Sequence, residues 1–227
     1  TLTAVKHANG RDWWVWVTEH GNHKCFYFLL SPDGIQGPFE VTMEPAFDLY
    51  SLGHISFSPD GNKMGRYEVE HGLYIYDFDR CSGMLSNPVF IALPNTSLGG
   101  GLAFSPDSRF AYIAASNSHI LQFDLWAGDI AASRDTVAVY DGYQSPIWTT
   151  FFLMQNGPDG RIYINTTNVT DVLHYIDQPN KKGDACQVVQ HGLQLPFRNR
   201  YTLPHFPNYR LGPLDGSPCD TLGLDNR

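Results

Sequence analysis

A tight-turn signature recurs along this chain at a nearly constant interval, and that interval limits the fold more than any composition figure. It reads Asn9-Gly10-Arg11, Ser58-Pro59-Asp60-Gly61, Ser105-Pro106-Asp107-Ser108 and Gly157-Pro158-Asp159-Gly160. The markers Asn9, Pro59, Pro106 and Pro158 are 50, 47 and 52 residues apart. Proline presets the first central position of a turn, and Asp and Gly tolerate the positions after it, so each copy makes a hairpin. A short apolar strand precedes three of the turns, at 54–57, 102–104 and 151–154. An aromatic strand follows every turn, at 13–17, 66–69, 110–113 and 161–164. Third strands fall at 26–30, 73–77, 120–124 and 172–177, and the last three close on Asp77, Asp124 and Asp177. Aspartate is poor inside a strand and good at starting the turn after it. Weaker fourth strands complete the units at 39–41, 88–91, 137–140 and 187–189.

Four antiparallel strands every ~50 residues is the period of a propeller blade. The expected fold is therefore all-β: a β-propeller with four visible four-stranded blades, at 1–44, 45–94, 95–143 and 144–195. A proline-rich closing segment, 196–227, follows them. The one helix candidate is 125–133. Recurrence at equivalent positions predicts that Ile55, Phe57, Ile75, Leu102, Phe104, Phe123, Phe152 and Ile176 are buried between blades. Three accounts of the ring stay open: a small closed one, blades lost from the N-terminal side, or completion by another chain. Missing N-terminal blades are favoured, because the sequence opens at Thr1 inside a strand-rich unit, without initiator Met or signal peptide.

Composition removes several classes. At 42% hydrophobic and 14% aromatic the chain has ample apolar surface to bury, which excludes disorder. A net charge of −8 argues against a generic nucleic-acid binder. No apolar run approaches the ~20 residues of a membrane helix. Four cysteines, Cys25, Cys81, Cys186 and Cys219, show no spacing suited to zinc or haem. Cys186 and Cys219 flank the proline-rich segment, where a disulfide would staple a loop with little core of its own. Free buried thiols are the alternative, and the preferred reading for Cys25.

The blades around Ser58-Pro59-Asp60-Gly61 and Ser105-Pro106-Asp107-Ser108 resemble WD-type and lactonase-like propeller repeats. The stretches 183–186, 191–195 and Leu203-Pro204-His205-Phe206-Pro207-Asn208-Tyr209-Arg210-Leu211-Gly212-Pro213 resemble secreted propeller proteins of Bacteroidota that carry a type IX secretion sorting domain. That resemblance implies a signal peptide, blades upstream, a sorting domain and an extracellular or cell-surface location. Asp135-Thr136-Val137 and Asp220-Thr221-Leu222 resemble the O-glycosylation acceptor of such proteins, which makes Thr136 and Thr221 candidate glycan sites. The sequons at Asn95, Asn165 and Asn168 read as chance matches.

Candidate chemistry is sparse. His20 and His23 flank a turn with no third ligand in view, so no metal is expected. His54, with Asp48 upstream, stands at the start of an inner strand and faces the channel where propeller sites lie; a polar lining without chemistry is the plainer reading. His191 and His205 read as structural. No Gly-x-Ser-x-Gly elbow or His-Glu-x-x-His motif occurs, and Gly99-Gly100-Gly101 lacks the Lys-Ser/Thr of a phosphate loop. Asp60, Asp107 and Asp159 repeat in register, as architecture does. Trp13 points to the opposite face from Trp14 and Trp16. Tyr143, Trp148 and Tyr201 lie in connections and suit stacking on a sugar or a partner surface, with inter-blade packing as the alternative. The resulting expectation is an extracellular binding or assembly module without catalysis or cofactor. Its partners would be further blades, a second copy, another extracellular protein or a glycan. The alternative is a propeller hydrolase of lactonase or glycoside-cleaving type with its site in the channel.

Overall fold

The computed structural model describes residues 2–19, 23–44, 53–93 and 100–224. It is all-β, with four sheets of four antiparallel strands that pair in simple chain order. Blade 1 holds β1 (Leu2–Lys6), β2 (Trp13–Thr18), β3 (Lys24–Ser31) and β4 (Gly34–Thr42). Blade 2 holds β5 (His54–Phe57), β6 (Lys63–Glu68), β7 (Gly72–Phe78) and β8 (Leu85–Ala92). Blade 3 holds β9 (Leu102–Phe104), β10 (Phe110–Ala115), β11 (His119–Asp124) and β12 (Asp135–Val139). Blade 4 holds β13 (Phe151–Asn156), β14 (Ile162–Thr166), β15 (Thr170–Ile176) and β16 (Val188–Asn199). The fold is of propeller type.

The repeated aspartates have two distinct jobs. Those in the turns accept backbone N–H groups two residues on: Asp60 from Asn62 at 3.0 Å, Asp107 from Arg109 at 3.1 Å and Asp159 from Arg161 at 3.3 Å. Those ending the third strands accept from the basic residue that follows the turn. Lys63 reaches Asp77, Arg109 reaches Asp124 at 2.7 Å, and Arg161 reaches Asp177 at 2.7 Å. Each hairpin is thus pinned to its neighbouring strand by the same pair.

Neighbouring blades pack face to face through three apolar joints. Trp14, Trp16 and Tyr27 of blade 1 meet Ile55, Met64 and Tyr76 of blade 2. Tyr67, Leu73 and Ile75 then meet Leu102, Phe104 and Phe123 of blade 3. Phe110, Tyr112 and Ile120 meet Phe151, Ile162 and Ile176 of blade 4. Seven of the eight residues predicted to lie between blades are buried; Phe57 is half-buried at the rim of the first joint. Gly101 permits close approach of inner strands, since a Cβ there would stand 2.4 Å from the Phe152 carbonyl oxygen.

Four expectations change. The first unit also has an apolar inner strand, β1, although no proline turn announces it. Residues 125–133 form turns and no helix, because Asp124 and Ser133 tie the segment back on itself, with the Asp124 N–H donating to Ser133 Oγ at 2.9 Å. β16 runs to Asn199, past the expected boundary at 195. The disulfide joins Cys219 to Cys81, across 138 residues, while Cys186 and Cys25 are buried free thiols. Cys186 closes a short 3-10 turn, Gly183–Cys186, inside the blade 3–4 joint, out of reach of the C-terminal segment.

That segment is a strap. From Asn199 it runs without regular structure past the inner strands and on to blades 1 and 2. Tyr201 stands edge-on to Phe152, and Gln155 Nε2 donates to the Phe206 carbonyl at 3.5 Å. Asn208 Nδ2 donates to the Pro59 carbonyl at 2.8 Å. Tyr209 stacks edge-on against Trp13 with ring centroids 5.5 Å apart. Arg80 donates to the Gly212 carbonyl, and the Leu214 N–H to Ala8 O at 2.8 Å, just before the disulfide.

Candidate functional site

The strap and the inner strands together enclose the concave surface of the molecule. A cavity of about 220 Å³ lies between Leu2, His54, β13 residues 153–155 and strap residues 203–205. A larger cleft of about 650 Å³ continues from it, walled by β1, the end of β5 and the β13–β14 turn, and floored by residues 205–210. Its polar lining includes Thr3, Ser56, Gln155, Asn156, His205 and Arg210, with Asn208 and Tyr209 of the strap. All three amides are already committed: Gln155 donates to Phe206 O at 3.5 Å, Asn156 to Phe104 O at 3.0 Å, and Asn208 is held between Pro59 O and the Arg210 N–H.

His54, at the start of β5, lines the smaller cavity. It is buried, and its Nδ1 accepts the Leu102 N–H at 2.9 Å, which leaves the proton of the neutral ring on Nε2. Its ring centroid lies 5.8 Å from that of His205. Burial, with His205 beside it, lowers the His54 pKa to about 4. His205 is shifted down as well, chiefly by desolvation, yet its side chain keeps an exposed edge on the cleft. Both rings are therefore neutral at physiological pH. Arg210 is exposed and forms no ion pair among the described residues.

The other predicted positions are elsewhere. Asp48 lies outside the described residues, as do His20, Asn95 and Gly99. Tyr143 and Trp148 share one loop, tied by a Gln144–Trp148 bridge. Tyr143 stacks on His191 at 4.0 Å, His191 in turn contacts Asp141 at 3.0 Å, and Trp148 is 63% exposed. Tyr201 belongs to the start of the strap; none of the three aromatics lines the cleft. Thr136 and Thr221 are exposed, whereas Asn165 is buried. No group of three or more metal-ligating side chains occurs among the described residues, and no helix there is long and apolar enough to cross a membrane.

Sequence reasoning missed Gln155, Asn156, Asn208 and Arg210. The available signal was in the strap itself, where His, Asn and Arg alternate with prolines in an extended segment unlike any blade.

No protein-family model and no curated protein matches the sequence. Solved structures do. A candidate 6-phosphogluconolactonase from Bacteroides uniformis matches with a TM-score of 0.51 and 14% identity, over 86% of this chain and 55% of its own. The dihydro-heme d1 dehydrogenase NirN, solved in complex with DHE, matches with a TM-score of 0.53 and 18% identity, over 91% of this chain and 39% of its own. At these identities the likeness is one of fold. The chain spans about half the length of the first neighbour and less of the second.

Proposed function

We propose that this chain is a propeller unit that takes a small, polar, anionic molecule into the strap-floored cleft and hydrolyses it as a cyclic ester. The carrying observation is that the strap presents a neutral His205, and an Arg210 with no ion pair among the described residues, to the cleft that Gln155 and Asn156 also line. A neutral imidazole can take a proton from water as that water attacks an ester carbonyl. The ring C–O bond then breaks, and the imidazolium returns the proton to the departing alkoxide, leaving one hydroxyl and one carboxylic acid, which releases its proton to water as it ionises to the carboxylate. Arg210 would hold the anionic group of the ligand. The fold likeness to a candidate 6-phosphogluconolactonase supports this reading over a non-catalytic module.

Acid release from a phosphorylated aldonolactone, followed by titration, tests it. Turnover should fall at least about 100-fold in His205→Ala, and KM for the phosphorylated lactone alone should rise in Arg210→Ala. Binding without turnover restores the non-catalytic module, and neither binding nor turnover removes both readings. The Cys81–Cys219 disulfide supports an oxidising, extracellular setting. There Thr136 and Thr221 would be open to O-glycans, and unmodified peptides from the natural source would refute that part.

A further inference from the structure

Each joint between blades uses one face of the earlier blade and the opposite face of the later one, and the same register positions supply both. On the later blade the cross-strand set is Ile55–Arg66–Tyr74 with Met64–Tyr76 in blade 2, and Leu102–Ile113–Leu121 with Ala111–Phe123 in blade 3. All ten residues are buried. The corresponding set in blade 1 is Ala4–Val15–Phe28 with Trp13–Leu30. It is apolar at every position, yet Leu30 is 42% exposed, the other four are half-buried, and Leu2 on the same face is 60% exposed. Only the inner edge of this face is covered, where Tyr209 meets Trp13.

The opposite kind of face is left over at the other end. In blades 1, 2 and 3 it carries Trp14–Leu29, Gly65–Ile75 and Tyr112–Gln122, all buried except the half-buried Leu29. In blade 4 the equivalent pair, Tyr163–Tyr175, is half-buried, with the Arg161 guanidinium 4.8 Å from the Tyr175 ring. The chain thus makes three joints and leaves one unpaired face of each type. A monomer does not ordinarily leave an apolar sheet face of this kind in water.

From this complementarity we infer that a second copy of this chain docks head to tail, the outer face of blade 1 on the outer face of blade 4. Two such joints form at once and close an eight-bladed pair. Heterologous contacts that close in this way give a ring rather than a filament. The length comparison is compatible with this, because 86% of this chain matches only 55% of the first neighbour's. The inference does not depend on the hydrolytic reading.

Sedimentation of the 227-residue chain, with Phe28→Arg and Tyr163→Arg as variants and circular dichroism to check folding, tests it. The wild type should be a dimer, and each folded variant a monomer. An equimolar mixture of the two should reassociate, because each variant retains the face that the other has lost. A wild-type monomer overturns the inference, as does a dimer that survives both substitutions. A mixture that stays monomeric shows like-with-like docking and also overturns it. A native protein heavier by one or more blades that stays monomeric assigns the face to its own upstream blades instead.

Discussion

The blades and the strap solve the same problem by opposite means. Within the blades, contacts are periodic: a residue meets its cross-strand partner and one neighbouring blade, and the apolar joints repeat about every 50 residues, the interval of a propeller repeat. The strap has no ladder and almost no buried apolar residue. It is held by single contacts to places far away in the chain, Asn208 to Pro59, Tyr209 to Trp13 and Cys219 to Cys81. Repetition supplies stability through area, whereas the strap supplies shape, since its placement creates the cleft. A region secured by few contacts also opens at lower free energy than a core.

The largest effect should come from the blades. Phe104→Ala empties a fully buried site in the blade 2–3 joint and is expected to cost about 3–5 kcal/mol, read from urea unfolding. A loss under 1 kcal/mol would mean that the joints are less tightly packed than the strap contrast requires.

Cys81→Ser together with Cys219→Ser should cost about 2–4 kcal/mol through loss of the cross-link. Limited proteolysis should then cut residues 200–219 while the four sheets stay protected. Simultaneous loss of blades and strap would erase the distinction between them.

The smallest effect is a pH dependence in which both regions take part. His54 under the strap and His174 in the blade 3–4 joint both keep pKa values lowered to about 4, mainly by burial. In the unfolded chain they bind protons near the ordinary histidine value of ~6.5. The unfolded state therefore holds more protons below that pH, and stability falls as pH drops from about 6.5 toward 4. His54→Gln should reduce the slope of that profile throughout this window, and the same substitution should loosen the strap to protease at pH 5. An unchanged profile would place the acid sensitivity elsewhere.

The blades could be read from sequence because turn chemistry and strand alternation are local. Ser-Pro-Asp-Gly fixes a hairpin wherever it stands, and alternation alone put Trp14 and Trp16 on one face and Trp13 on the other. β1 escaped because Asn9-Gly10-Arg11 has no proline and its strand carries only Leu2, Ala4 and Val5 as apolar residues. The helix expected at 125–133 failed because Asp124 and Ser133 bond to each other rather than permit a helical ladder.

The amino-acid sequence by itself determined the period, the strand faces, the buried residues of the joints and the presence of an irregular closing segment. Each depends on neighbours within one hairpin or one repeat. Only the tertiary structure decided that Cys219 meets Cys81, that His205 lies beside His54, and that the strap floors a cleft. Those partners stand 138 and 151 positions apart along the chain, respectively. No local propensity specifies such meetings; the path of the strap across four packed blades does.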